Sequence, residues 1–88
     1  MNKIINKDSV KYMEGSKVLA EICFLLTETS VITITKTFVD DSLRGQGIAS
    51  KLILDVIDIA RKNNYKIKAT CSYAAHYFSK NKCDLYIN

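Results

Sequence analysis

Arg44-Gly45-Gln46-Gly47-Ile48-Ala49 is the segment whose residue types and order suit chemistry most directly. It lies between a β-branched run that ends at Val39 and an apolar stripe of helical spacing that begins at Ile48. A helix start presents N–H groups without intrahelical acceptors and carries the positive end of the helix dipole, so it can hold a phosphate or pyrophosphate. Gly45 and Gly47 would let such a group approach the backbone closely, and Arg44 adds a fixed cation with several donors. The competing reading is a plain glycine turn whose arginine faces solvent. A Walker loop needs Gly-Lys-Ser/Thr, and a dinucleotide fingerprint needs three glycines at set spacing near the first strand. Neither fits, which leaves a coenzyme with a pyrophosphate.

Cys71 stands at the end of an apolar strand face and reads either as a small buried hydrophobe or as a thiol facing a cleft. Lys36 falls by alternation on the face of Ile32, Ile34 and Phe38, where a lysine snorkelling from a strand end is the simpler account. The chemical alternative is that its charge favours a Cys71 thiolate. That requires both side chains on the same side of the sheet. Cys23, Cys71 and Cys83 are an odd number at wide spacings, neither a disulfide framework nor a Cys-x-x-Cys motif. His76 is the only histidine, so no metal site is expected and the thiols should be reduced. His76 and Cys83 read as structural or exposed.

The elements that must position these residues follow from periodicity. Val18, Ala20, Ile22, Phe24 and Leu26 alternate as a strand, with Glu14-Gly15-Ser16 as a turn and Ser9 to Met13 as a hairpin partner. Ser30 to Val39 is rich in β-branched residues and should be a long central strand. Ile48, Ala49, Leu52, Ile53, Val56, Ile57 and Ala60 form the buried stripe of an amphipathic helix, with Lys51/Asp55 and Asp58/Lys62 as i,i+4 pairs and Asn63-Asn64 as its stop. Tyr65 to Cys71 returns to strand alternation, giving a β-α-β unit with parallel neighbouring strands. Tyr73 to Lys80 reads as a short final helix and Leu85-Tyr86-Ile87 as a terminal strand or packing segment. Asp40 and Asp41 belong to a turn, with Ser42 as a candidate helix cap.

The chain has 88 residues, 48% of them hydrophobic, with no proline. Folding at this size hides only about 64% of the unfolded surface, so one domain over 1–88 is expected. Glu21, Lys36 and Asp55 interrupt the apolar stretches below membrane-spanning length, and no signal-like run opens the chain, so a soluble cytoplasmic protein is expected. The net charge of +4 suits an anionic partner, but the lysines are scattered rather than clustered, which argues against nucleic acid.

These residues resemble the GNAT N-acetyltransferase superfamily, whose acetyl-coenzyme A motif is Gln/Arg-x-x-Gly-x-Gly/Ala between a long strand and a helix; Arg44, Gly47 and Ala49 match it. Thr37-Phe38-Val39, Arg44-Gly45-Gln46-Gly47 and Cys71-Ser72-Tyr73 further resemble a short GNAT-like subgroup with Thr-x-Val, Arg-Gly-x-Gly and Cys-Ser-Tyr segments. The resemblance implies an α/β (α+β) fold: a mixed, mostly antiparallel sheet, one long helix and a short C-terminal helix. It implies a cofactor site at Phe38, Val39, Arg44, Gly45, Gln46, Gly47, Ile48, Ala49, Ser72 and Tyr73, with Cys71 near the acyl group; the strand alternation, not the resemblance, offers Lys36 as its catalytic partner. The subgroup usually has histidine where this chain has Lys36, and proline where it has Asp40 and Ala69. Larger members carry Asn-x-x-Ala-x-x-Phe-Tyr, whose tyrosine protonates the leaving thiolate. Aligned on Ala74, this chain has Cys71 and Phe78 at the outer positions, with Tyr73 and Tyr77 close by.

The expected activity is acetyl or acyl transfer from acetyl-coenzyme A to a small amine or protein amine. A coenzyme A-binding module with little turnover is the alternative reading, and a basic nucleic-acid binder a third.

Overall fold

Three successive alternating runs give the first three long strands of the chain, and the change to helical spacing at Ile48 gives its longest helix. The computed structural model describes residues 2–87. In order these form β1 (Asn2–Ile5), β2 (Ser9–Glu14), β3 (Lys17–Glu28), β4 (Val31–Val39), a 3-10 turn (Asp41–Leu43), α1 (Ile48–Lys62), β5 (Lys66–Ala69) and α2 (Ser72–Lys80). The strands make one sheet in chain order, antiparallel from β1 to β4 and parallel between β4 and β5. This is the expected mixed, mostly antiparallel architecture. β1 is an addition: all four of its residues are exposed, so burial patterning gives no sign of it. Leu85-Tyr86-Ile87 contributes a single bridge, Tyr86 to Ile67, and buries Leu85.

The apolar stripe of α1 packs on one face of the sheet. Ile48, Leu52, Ile53, Val56 and Ala60 meet Val10, Ala20, Ile22, Phe24, Ile32, Ile34 and Ile67 in a single core, which Ala74 and Phe78 of α2 complete. The helix ends as anticipated, with Asn63 as C-cap and Asn64 in the left-handed region at φ 59°. Asp58 and Lys62 pair at 3.1 Å. Asp55 turns instead to the sheet, accepting from Lys3 Nζ at 3.1 Å and Tyr12 Oη at 3.2 Å. The cap in the turn before α1 is Asp40 rather than Ser42: its carboxylate accepts from the Ser42 amide at 3.1 Å and hydroxyl at 2.7 Å.

One departure from regular alternation matters for the site. Cys23 lies opposite Lys36, but the next residue of β3, Phe24, lies opposite Ile34, so Thr35 is an extra residue in β4. Such a bulge reverses which residues face the core. Before it Ile32 and Ile34 are buried; after it Thr37 lies opposite the buried Ile22, and Val39 opposite the buried Ala20. Lys36 and Phe38 are thereby turned to the other face, beside Cys23 and Glu21. An unbroken strand would have driven a lysine into the core, at large desolvation cost.

Among the described residues no helix is long and apolar enough to cross a membrane. Leu52 is fully buried, and its replacement by alanine should cost about 2–5 kcal/mol. Urea unfolding of Leu52→Ala checks this; a loss under about 1 kcal/mol would mean that α1 is not seated on the sheet as described.

Candidate active site

β4 and β5 run side by side only from Val31/Lys66 to Ile34/Ala69. At that point the Ile34 carbonyl accepts from both the Thr70 amide at 2.9 Å and the Cys71 amide at 3.2 Å, and the chain leaves the sheet to begin α2. Beyond Ile34 the β5-facing edge of β4 pairs with no strand among the described residues. The two strands therefore part, and the gap opens toward the N-terminus of α1.

A cleft of about 420 Å³ occupies this corner. Thr37 and Val39 of β4 form one wall, Leu43, Arg44, Gly45 and Gly47 the turn, Ile48 and Ala49 the first residues of α1, and Tyr73 the side contributed by α2. Gly47 is the N-cap of α1 with φ 73°, and Gly45 has φ 79°; both backbone conformations favour glycine. No atom lies within 4 Å of where a Cβ would stand at either glycine, so the backbone borders open space. Gly47 supplies no side-chain cap, and the first intrahelical acceptor is its carbonyl, taken by Lys51 N–H at 3.1 Å. The first-turn amides of α1 are thus left for an incoming acceptor. A diphosphate fits this donor set.

Seven of the expected cofactor residues, Val39, Arg44, Gly45, Gly47, Ile48, Ala49 and Tyr73, line the cleft. Phe38 does not: its side chain lies opposite Glu21 on the other face, so only its backbone is near. Gln46 reaches back to the Ser42 carbonyl at 3.4 Å. Ser72 is an exposed first residue of α2. Arg44 donates from Nε to Asp41 at 2.9 Å and keeps most of its side chain in solvent. Leu43 and Thr37 line the cleft without having been singled out as site residues; the clue was the parity conflict between Ile34 and Val39, which places Thr37 inward.

Lys36 is not a partner of Cys71. Its side chain is 62% exposed on the opposite face of the sheet, 3.8 Å from Glu21, which also receives Lys11 at 3.6 Å. The bulge at Thr35 is the cause. Cys71 lies just outside the cleft wall as N-cap of α2, with its Sγ 3.4 Å from the Thr37 hydroxyl. Burial pushes its thiol up, but the Thr37 hydroxyl and the nearby amides of Ala74, Tyr73 and Thr37 together outweigh that and leave it below the ordinary thiol value. The amides favour the thiolate by proximity, without forming a cap hydrogen bond of regular geometry. Cys23 goes the other way, raised by burial and by Glu21. Tyr73 brings its hydroxyl to 3.5 Å from Ser50 Oγ in the first turn of α1. Tyr77 instead packs edge-on against Phe78, which is itself buried and stacked on Tyr86.

Residues 9–86 match the family model described as GCN5-related N-acetyl-transferase. The chain therefore belongs to the GCN5-related N-acetyltransferase family. The solution structure of a GCN5-like candidate N-acetyltransferase from Staphylococcus aureus is 33% identical, covers 99% of this chain and 88% of its own, and superposes with a TM-score of 0.84. A GNAT-family acetyltransferase from Staphylococcus aureus Mu50 is 20% identical over 83% of this chain and 50% of its own, TM-score 0.68. A Mycobacterium tuberculosis protein solved in complex with CoA is 15% identical over 72% and 40%, TM-score 0.62. Against these two larger proteins the chain spans half the length or less, and the likeness is one of fold. No curated protein matches the chain.

The opposed thiol shifts give a direct test. Near neutral pH, Cys71 should be alkylated by iodoacetamide at least about threefold faster than Cys23. Peptide mapping by mass spectrometry reads the ratio, and equal rates would contradict the lowered Cys71 value.

Proposed function

We propose that this protein transfers an acetyl group from acetyl-coenzyme A to an amine. The observation that supports it most is the coincidence of three features at one corner: left-handed glycines with open space beside them, an uncapped helix start, and a strand edge freed where β4 leaves β5. In this reading Gly45, Gly47, Ile48 and Ala49 hold the diphosphate through backbone amides, with Arg44 as cation. The pantetheine arm follows the backbone of Phe38 and Val39 along the free edge of β4. Tyr73 closes the α2 side, and the thioester carbon comes to rest near Cys71. Arg44, Gly45 and Gly47 of the Arg-Gly-x-Gly segment and Tyr73 of the Cys-Ser-Tyr segment then share one cleft, with Cys71 just outside its wall. Three reduced thiols suit a cytoplasmic setting.

Holding the thioester beside a deprotonated amine supplies proximity, and strand amides polarise its carbonyl. The Cys71 thiolate offers a second route. Its sulfur bonds to the acyl carbon as the bond to coenzyme sulfur breaks and coenzyme A leaves as thiolate; the amine then displaces Cys71 and loses its proton to solvent. Tyr73 is the phenol available to protonate the departing coenzyme, since the position aligned with the family tyrosine is the buried Phe78.

Gly47→Glu sets a bulky anion against the phosphates and should weaken acetyl-coenzyme A binding at least about tenfold in calorimetry. Gly15→Glu, in the β2–β3 turn with a similar left-handed φ of 59°, controls for backbone strain and should leave affinity unchanged. Release of free coenzyme A with an amine mixture marks an enzyme; binding without release marks a coenzyme A-binding module.

A further inference from the structure

We propose that Thr37 is the positioning residue for Cys71, its hydroxyl fixing the sulfur at the mouth of the gap between β4 and β5. The inference deepens the proposed function and rests on Cys71 serving the acyl group.

The geometry carries it. Thr37 and Cys71 are 34 positions apart and come from the two walls that separate after Ile34, so their 3.4 Å contact spans the gap. The Thr37 hydroxyl has no other hydrogen-bond partner among the described residues. It points inward only because Thr35 is bulged; in an unbroken strand it would share the far face with Cys23 and Glu21. Packing alone would not call for a hydroxyl at this half-buried position, since valine has a similar outline and fits a strand at least as well. The hydroxyl is what threonine adds, and it faces sulfur. Cys71, as an N-cap in extended conformation with φ −75°, gives its carbonyl to the Ala75 amide at 3.0 Å to open α2 and presents its sulfur to the Thr37 hydroxyl.

The electrostatics agree. The Thr37 hydroxyl is the foremost group lowering the Cys71 thiol, ahead of the amides of Ala74, Tyr73 and Thr37. Of the titratable groups on the surrounding elements, Lys36 of β4 is turned away beside Glu21, Tyr73 lines the cleft, Tyr77 packs on Phe78, and His76 is exposed on α2. A neutral hydroxyl thus orients the sulfur and, together with the nearby amides, lowers its basicity.

The test uses Cys23→Ser/Cys83→Ser protein, in which Cys71 is the one thiol, and follows iodoacetamide alkylation from pH 6 to 10. Thr37→Val should shift the profile to higher pH and slow alkylation at pH 7 about threefold, the lost thiolate fraction being partly offset by the greater nucleophilicity of a more basic sulfur. Thr37→Ser should restore the parent profile. Thr37→Ala replaces Thr37→Val if the valine protein does not fold by thermal melt. A Thr37→Val or Thr37→Ala profile that coincides with the parent overturns the proposal, as does a Thr37→Ser profile displaced as far as valine's. Acetyl-coenzyme A calorimetry on the parent reads the cofactor site separately, so its failure would remove the proposed function while the alkylation profiles still decide the role of Thr37.

Discussion

The Ile34 carbonyl is the hinge on which the site depends. As the last β4 group shared with β5, it accepts from two successive amides, Thr70 and Cys71, where an ordinary ladder position would offer one. That double acceptance stops β5 and starts α2, while β4 runs on alone. Immediately afterwards the bulge at Thr35 reverses the facing of β4. The same two residues of β4 therefore decide where the strands separate and which side chains look into the opening. Bulges beside active sites commonly re-aim a side chain in this way; here the exchange is a lysine moved out and a threonine moved in.

Placing function at this corner needs little chain. The core under it is made by the stripe of α1 against four strands, and the cleft borrows its walls from the same elements. Its donors are mostly main-chain groups, whose positions are set by α1 and β4 and cost no side-chain entropy to organise. A small domain buries limited apolar surface, so using backbone groups for recognition spares side chains for the core. Tyr73 reaches the cleft and Cys71 stands beside its wall because α2 starts directly at the gap, with only Thr70 and Cys71 between it and β5.

Much of this was legible in sequence, and the exceptions have physical causes. The helical stripe from Ile48 to Ala60 is one-sided because α1 buries one face, so its period survives. The glycine turn was readable because only a few residue types tolerate left-handed backbone. β1 was not, since a short exposed edge strand carries no burial pattern. The facing of Lys36 was misread because Ile32, Ile34, Lys36 and Phe38 form an unbroken alternation, and the reversal lies in the backbone. The warning was Val39, an apolar residue of opposite parity at the same strand's end. Cys71 was read as the end of a strand, yet β5 stops at Ala69, and the cysteine's surroundings are those of a helix start.

In the proposed reading, Arg44 leaves the turn open to a diphosphate at little cost. Its guanidinium is paired with Asp41, three residues back, at 2.9 Å, and both side chains are largely in solvent. An exposed pair of this kind contributes little, about 0–1 kcal/mol, so an arriving diphosphate has only a weak carboxylate contact to displace. The phosphate brings more charge than the carboxylate and meets the α1 amides at the same time, a partnership Asp41 does not have on its own side of the turn. Exchange of one anion for another therefore favours the ligand through the amides rather than through the arginine. In the proposed reading, selectivity for a diphosphate then rests on the glycine backbone, with Arg44 adjusting it.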